Sequence, residues 1–190
     1  MRLSRGPSID WLVVGLGNPG REYSGTRHNV GFAVAEELAR RWDLGRERTR
    51  YRGLLREGRA GFGGGGARVA LLEPQTYMND AGLSVGPARG AYRVPLERVL
   101  VVHDEIDLPF GQIRARLGGG LAGHNGLRSL KRELGSGEFM RVRIGVGRPD
   151  STDPEIVAAY VLGRFKEGPA AVSDLVDRAS DAVAAVIAGE

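Results

Sequence analysis

One polar turn, long and rich in particular side chains, constrains this chain more than any other stretch. Trp11-Leu12-Val13-Val14 is a continuous apolar run, and Val30, Phe32, Ala33, Val34, Leu38 and Trp42 recur at helical spacing. Between them, Gly15–Gly31 holds one histidine, two asparagines, a tyrosine and five glycines. A buried strand, a long turn and a helix therefore follow one another, with Asn29 placed to cap the helix. Open α/β folds put their ligand sites in such loops, at the carboxyl ends of strands.

The rest of the chain alternates in the same way. Arg68–Leu72, Val99–Val102, Gln112–Leu117 and Arg141–Val146 read as strands, and Val99–Val102 is apolar throughout, as a central parallel strand is. Helical patterns run from about Gly82 to Tyr92, up to Leu134, and over 153–160 and 169–188. Residues 40–59 carry eight arginines and read as a loop and an exposed strand. Gly61–Gly66 reads as a hairpin tip, since no Gly-Lys-Ser/Thr follows to make it a phosphate cradle. The expectation is an α/β protein of one domain over 11–190, after an N-terminal extension of residues 1–10. Its sheet should be mixed, mostly parallel, twisted and flanked by helices.

Composition narrows the function classes. There is no cysteine among the 190 residues, so thiolate chemistry and disulfides are out. The first ten residues lack the apolar core of a signal peptide, and no run of about 18 apolar residues occurs. A cytoplasmic protein with no membrane partner is expected. The net charge of +4 conceals an asymmetry: residues 1–148 carry 24 basic against 15 acidic residues, and 149–190 carry 3 against 8. Arg114, Arg116, Arg128, Lys131, Arg132, Arg141, Arg143 and Arg148 fall within one segment holding two acidic residues. A polyanion such as nucleic acid fits that face. A general arginine bias fits too, because 25 of the 27 basic residues are Arg.

Gly15-Leu16-Gly17-Asn18-Pro19-Gly20 has the spacing of a dinucleotide fingerprint. That motif needs its helix to start at the third glycine, so that the helix N-terminus meets a pyrophosphate. Here Pro19, Gly25 and charged residues intervene, which argues against a nicotinamide or flavin cofactor. His28 has a candidate partner in Asp104, which follows another apolar strand. Parallel strands would open both residues onto one sheet edge, where a carboxylate can fix an imidazole as a general base for water. No nucleophile elbow is present. His28, His103, Asp104, Glu105 and Asp107 could instead ligate a metal, but there is no His-x-x-x-His pair, and neighbours on a strand point to opposite faces. Asn18, Asn79 and Asn125 each follow a likely strand end and could bind a carbonyl or oxyanion, or simply cap a turn. Tyr23, Tyr77 and Met78 could wall a site or belong to the core.

Five segments, Val14–Gly31, Pro74–Gly82, His103–Gly111, Leu117–Leu127 and Arg141–Gly147, together resemble the bacterial-type peptidyl-tRNA hydrolase family in order and spacing. The resemblance implies a monomer that hydrolyses the ester between a peptide and the terminal ribose of tRNA, without metal or organic cofactor. By motif position, His28 would be the general base and Asp104 its orienting carboxylate. Asn18 would distinguish a blocked from a free amino group, and Asn79 would position the water or the substrate carbonyl. Asn125, in the Gly123-His124-Asn125-Gly126 motif, would lie near the terminal nucleotide. His124, Tyr23, Tyr77 and Met78 are expected to contact the substrate, with Arg114, Arg116 and Arg143 facing the acceptor-stem phosphates. An inactive relative that binds RNA, as in splicing, is the alternative. Three departures stand out. Leu121-Ala122 replaces the family's usual His-Gly in a lid-like segment, Arg116 stands where Lys is frequent, and the sequence stops at Ala188-Gly189-Glu190 without a basic tail.

Overall fold

A computed structural model describes residues 9–190; residues 1–8, most of the expected extension, lie outside the described residues. The first described residues already belong to the packed body. Ile9 is buried, and Asp10 pairs with Arg68. The strands are β1 (Trp11–Gly15), β2 (Arg48–Arg50), β3 (Gly53–Arg59), β4 (Arg68–Pro74), β5 (Val99–Glu105), β6 (Ile113–Leu117) and β7 (Met140–Gly145). The helices are α1 (Val30–Arg41), α2 (Gly82–Tyr92), α3 (Asn125–Leu134), α4 (Pro154–Val161) and α5 (Pro169–Ala188).

All seven strands form one sheet in the order β2-β3-β4-β1-β5-β7-β6. The sheet is mixed. Its central strands β4, β1, β5 and β7 are parallel, whereas β2–β3, β3–β4 and β6–β7 pair antiparallel. Parallel strands need cover on both faces, and the apolar runs of β1 and β5 supply side chains to each. Val13, Leu71, Leu100 and Val102 pack beneath α1 and α5, while Leu12, Val14, Leu72 and Val101 pack beneath α2 and α3. Each such fully buried aliphatic side chain contributes roughly 1.5–3 kcal/mol.

β1 and β5 are adjacent, with Gly15 opposite Val102, so the two turns that follow open onto the same edge. The glycines of the first turn serve packing. A Cβ on Gly31 would lie 2.5 Å from the carbonyl oxygens of Leu16 and Val102, so only glycine lets the start of α1 sit against both strands. α1 begins at Val30, after short 3-10 turns at Arg21–Tyr23 and Arg27–Asn29, and not at Gly20. The geometry of a dinucleotide fingerprint is therefore absent.

Two sequence expectations change. Asn29 precedes α1 but makes no side-chain cap hydrogen bond. Arg141 was expected on a basic, open face of its strand; it is fully buried.

Candidate active site

A cleft of about 530 Å³ runs along the carboxyl edge of the sheet, and the turns after β1, β4 and β5 meet on its floor. His28 Nδ1 lies 3.0 and 2.9 Å from the two carboxylate oxygens of Asp104. Asp104 is buried at the end of β5. Burial opposes its ionisation, yet the positive charge that His28 and His124 carry when protonated, with their hydrogen bonds, prevails and holds it well below the ordinary carboxylate range. An ionised carboxylate can only accept, so His28 Nδ1 is the donor and Nε2 carries the basic lone pair. For His28, burial works against charging; the Asp104 charge and hydrogen bond outweigh it, and the imidazole sits above its usual value.

His124 completes the arrangement from below. Its Nδ1 accepts from the backbone amides of Gly126 and Leu127, at 3.1 and 3.3 Å, and so caps α3. Backbone amides only donate, so the ring proton is on Nε2, which donates to Asp104 Oδ1 at 2.9 Å. Expected as a substrate contact, His124 does line the cleft, but both its nitrogens are engaged within the protein. One donor atom from each of His28, Asp104 and His124 lies within 4.8 Å of the others, close enough to hold a cation. In this protonation state, hydrogen bonds already occupy the Asp104 oxygens, His28 Nδ1 and both His124 nitrogens. His103 stands apart. Its Nδ1 lies 2.7 Å from the Asp104 carbonyl oxygen, and burial pushes it down to about 3.

The asparagines divide into two kinds. Asn18 is buried, and its Oδ1 accepts from the Met78 amide at 2.7 Å, joining the turn after β1 to the turn after β4. Asn29 clasps the Asn18 backbone. Its Oδ1 accepts from Asn18 N at 2.8 Å, and its Nδ2 donates to Asn18 O at 2.9 Å. That leaves Asn18 Nδ2 as the group available to a ligand. Asn79 and Asn125 are exposed on the rim. Tyr23 and the 59% exposed Tyr77 also line the cleft, and Met78 is buried in its floor.

Three features escaped sequence reasoning. Asn29 carried only a capping signal. Arg27 is buried, with its guanidinium 3.8 Å from the centre of the Tyr160 ring and Nη1 donating to Tyr160 O. It ties the turn bearing His28 to α4. One apolar wall of the cleft, from Val157, Ala158, Val161 and Leu162, comes from a helix with no motif of its own. The glycine-rich segment before α3 is anchored by Leu121, which packs on the core, and Ala122 takes a left-handed φ of 49°.

Arg114, Arg116 and Arg143 do not line the cleft. Arg114 and Arg116 are exposed on β6, and Arg143, opposite Arg114 on β7, lies 3.7 Å from Glu105. They make a separate basic surface beside the site.

An α/β sheet whose carboxyl edge presents a carboxylate-held imidazole on the floor of an open cleft has the geometry of an acid–base site. Comparison makes the assignment specific. The sequence profile of the family described as Peptidyl-tRNA hydrolase matches residues 12–190. The curated peptidyl-tRNA hydrolase of Geobacillus kaustophilus is 49% identical over 172 residues, covering 90% of this chain and 89% of the relative. That of Syntrophotalea carbinolica is 52% identical over 154 residues, covering 81% and 78%. The crystal structure of peptidyl-tRNA hydrolase from Acinetobacter baumannii superposes with a TM-score of 0.80 at 40% identity, covering 94% of this chain and 86% of that one. The chain belongs to the peptidyl-tRNA hydrolase family.

Proposed function

We propose that this protein hydrolyses the ester joining a peptide, or an N-blocked amino acid, to the terminal ribose of tRNA, with His28 as the general base. The observation that carries the reading is the His28–Asp104 pair, with His124 donating to the same carboxylate. His28 Nε2 removes a proton from water as the water oxygen bonds to the ester carbonyl carbon. When the carbon–oxygen ester bond breaks, the same proton passes to the ribose oxygen, and peptide acid and tRNA leave. Asp104 stabilises the imidazolium between these steps. The amides of Asn18 and Asn79 donate to the substrate carbonyl or hold the water. Asn18 also reads the blocked amino group, and Asn125 with Tyr23 and Tyr77 receives the 3′ end. Arg114, Arg116 and Arg143 hold acceptor-stem phosphates without sequence choice. The steps as written use only groups of the chain, water and the substrate. Residues 11–190 act as one unit, as a monomer. Among the described residues no helix is long and apolar enough to cross a membrane.

The direct test is single-turnover deacylation of N-acetylaminoacyl-tRNA by the parent and by His28→Ala. Loss of hydrolysis by about 10²–10⁴-fold, with tRNA binding kept, is expected for a missing general base. A parental rate in the variant would overturn the assignment of His28. RNA binding by the parent without any turnover would favour the inactive RNA-binding relative.

A further inference from the structure

The turn Arg27–Asn29 carries three consecutive buried side chains, and each goes to a different place. Arg27 reaches Tyr160, His28 reaches Asp104, and Asn29 reaches Asn18. Asn29 stands where α1 is capped, but its φ of −96° and ψ of 11° lie outside the extended region that a capping residue takes. Its side chain makes no cap hydrogen bond to the first turn of α1. It meets both main-chain groups of Asn18 instead, accepting from N at 2.8 Å and donating to O at 2.9 Å. A cap is given up for a contact 11 residues back in the chain.

Asn18 has no other main-chain support. The hydrogen bonds that continue β1 toward β5 end at Leu16, whose amide donates to Val102 O at 3.1 Å. Among the described residues, Asn18 N and O bond to Asn29 alone. Behind the turn lies a second cavity of about 310 Å³, lined by Asn18, Pro19, Gly20, Asn29 and Phe32 among others. Packing does not fill that space, so the turn has room to shift once Asn29 lets go. The Asn18 side chain is fixed from another direction, by the Met78 amide that donates to its Oδ1 at 2.7 Å. The acceptor is thus turned to the protein, and Asn18, which lines the cleft, presents its Nδ2 donor there.

We propose that Asn29 is a positioning residue that sets which acyl group the cleft accepts. By holding the Asn18 backbone it keeps Nδ2 on the substrate, where an N-acyl carbonyl oxygen accepts the hydrogen bond. A free amino group is mostly cationic at neutral pH and carries only donors, so it meets another donor there and is rejected. Without Asn29 the turn relaxes into the second cavity, the amide turns, and its oxygen becomes available to an ammonium group. A site that selects by a hydrogen bond needs that bond held in one orientation, because a mobile amide satisfies either partner. The proposal rests on the reading of the cleft as a peptidyl-tRNA site with Asn18 beside the blocked nitrogen.

The test measures kcat/KM for N-acetylaminoacyl-tRNA and for the same aminoacyl-tRNA with its amino group free. It is run on the parent, Asn29→Ala, Asn18→Ala and the double variant. Both esters use His28, so damage to the base cancels in the ratio of the two values. In Asn29→Ala the ratio of blocked to free ester should fall roughly tenfold, as a displaced positioning group costs the substrate it was placed for. A merely structural role would slow both esters alike and leave the ratio. Asn18→Ala should lose at least as much, and adding Asn29→Ala to it should change the ratio by less than about twofold, because Asn29 acts through Asn18. Asn29→Asp keeps the acceptor for Asn18 N and loses the donor to Asn18 O. It takes the place of Asn29→Ala should that variant not fold, and its ratio should fall too. A parental ratio in the Asn29 variant, an undiminished tenfold fall in the Asn18→Ala background, or loss of the fold in both Asn29 variants would each overturn the proposal. A parent that hydrolyses neither ester would defeat the reading of the cleft itself. A parent that prefers the blocked ester, with that preference intact in the Asn29 variant, would defeat this proposal alone.

Discussion

Asp104 carries two histidines on one carboxylate, and both are donors. Asp104→Asn would face one of those N–H groups with an amide that also donates. The simplest relief is a tautomer change in His28, which puts the proton on Nε2 and removes the base. A fall of about 10²–10⁴ in the hydrolysis rate at neutral pH is expected. The pH profile separates this from mere structural damage. A general base must be neutral, so with His28 in that role activity is expected to rise as pH passes its raised pKa. Without the Asp104 charge that pKa falls, and the acid limb of the residual activity should move to lower pH. A near-parental rate, or an acid limb that stays in place, would show that Asp104 does not act through His28. The sequence showed both residues and their shared edge, because apolar runs mark parallel strands. It did not show His124 beneath them, since a histidine after two glycine-rich turns reads equally as a substrate contact.

The glycine-rich segment before α3 and the strand β7 are joined by a residue that the alternating pattern misplaced. Arg141 and Arg143 alternate with Val142 and Ile144, so period two assigns Arg141 to the basic, outer face. In the fold that face is covered. Arg141 Nη1 donates to Gly120 O at 2.6 Å, Nη2 donates to Gly137 O at 2.8 Å, and the guanidinium stacks 4.6 Å from the centre of the Phe139 ring. Arg141→Met keeps much of the volume but strands two carbonyls. A loss of roughly 2–4 kcal/mol is expected in chemical denaturation, with faster hydrogen exchange in residues 118–124. Unchanged exchange in that segment would mean that Leu121, not Arg141, anchors it.

Across the whole molecule, stability should depend on pH through acids of opposite behaviour. Asp10 and Glu37 are held below their ordinary values by Arg68 and by Arg40 and Arg41, and Asp104 by its histidines. Their contribution is present above the unfolded pKa and is lost as pH falls through the folded one. Glu73 opposes them. Burial in β4, then the hydrogen bond and charge of Glu36 and the charge of Glu47, push it up to about 9. Its folded form keeps a proton that the unfolded chain releases above about pH 4.5, so its effect on stability worsens as pH rises from there toward 9. Glu73→Gln should be near neutral at pH 4 and stabilising by roughly 1–3 kcal/mol at pH 8, as measured by urea unfolding at both values. A difference that is flat in pH would show that Glu73 does not carry this proton.

The sequence by itself determined the elements, the sheet edge that holds the site and the pair His28–Asp104. Apolar periodicity and turn chemistry are local, and the site residues follow strands that the pattern marks. Tertiary structure alone decided which polar groups are used up within the protein. Asn29 holds the Asn18 backbone instead of capping α1, Arg27 and Arg141 are buried anchors, and α4 closes one wall of the cleft. Each of these depends on a partner distant in sequence, and the cost of burying a polar group is set by whether that partner arrives.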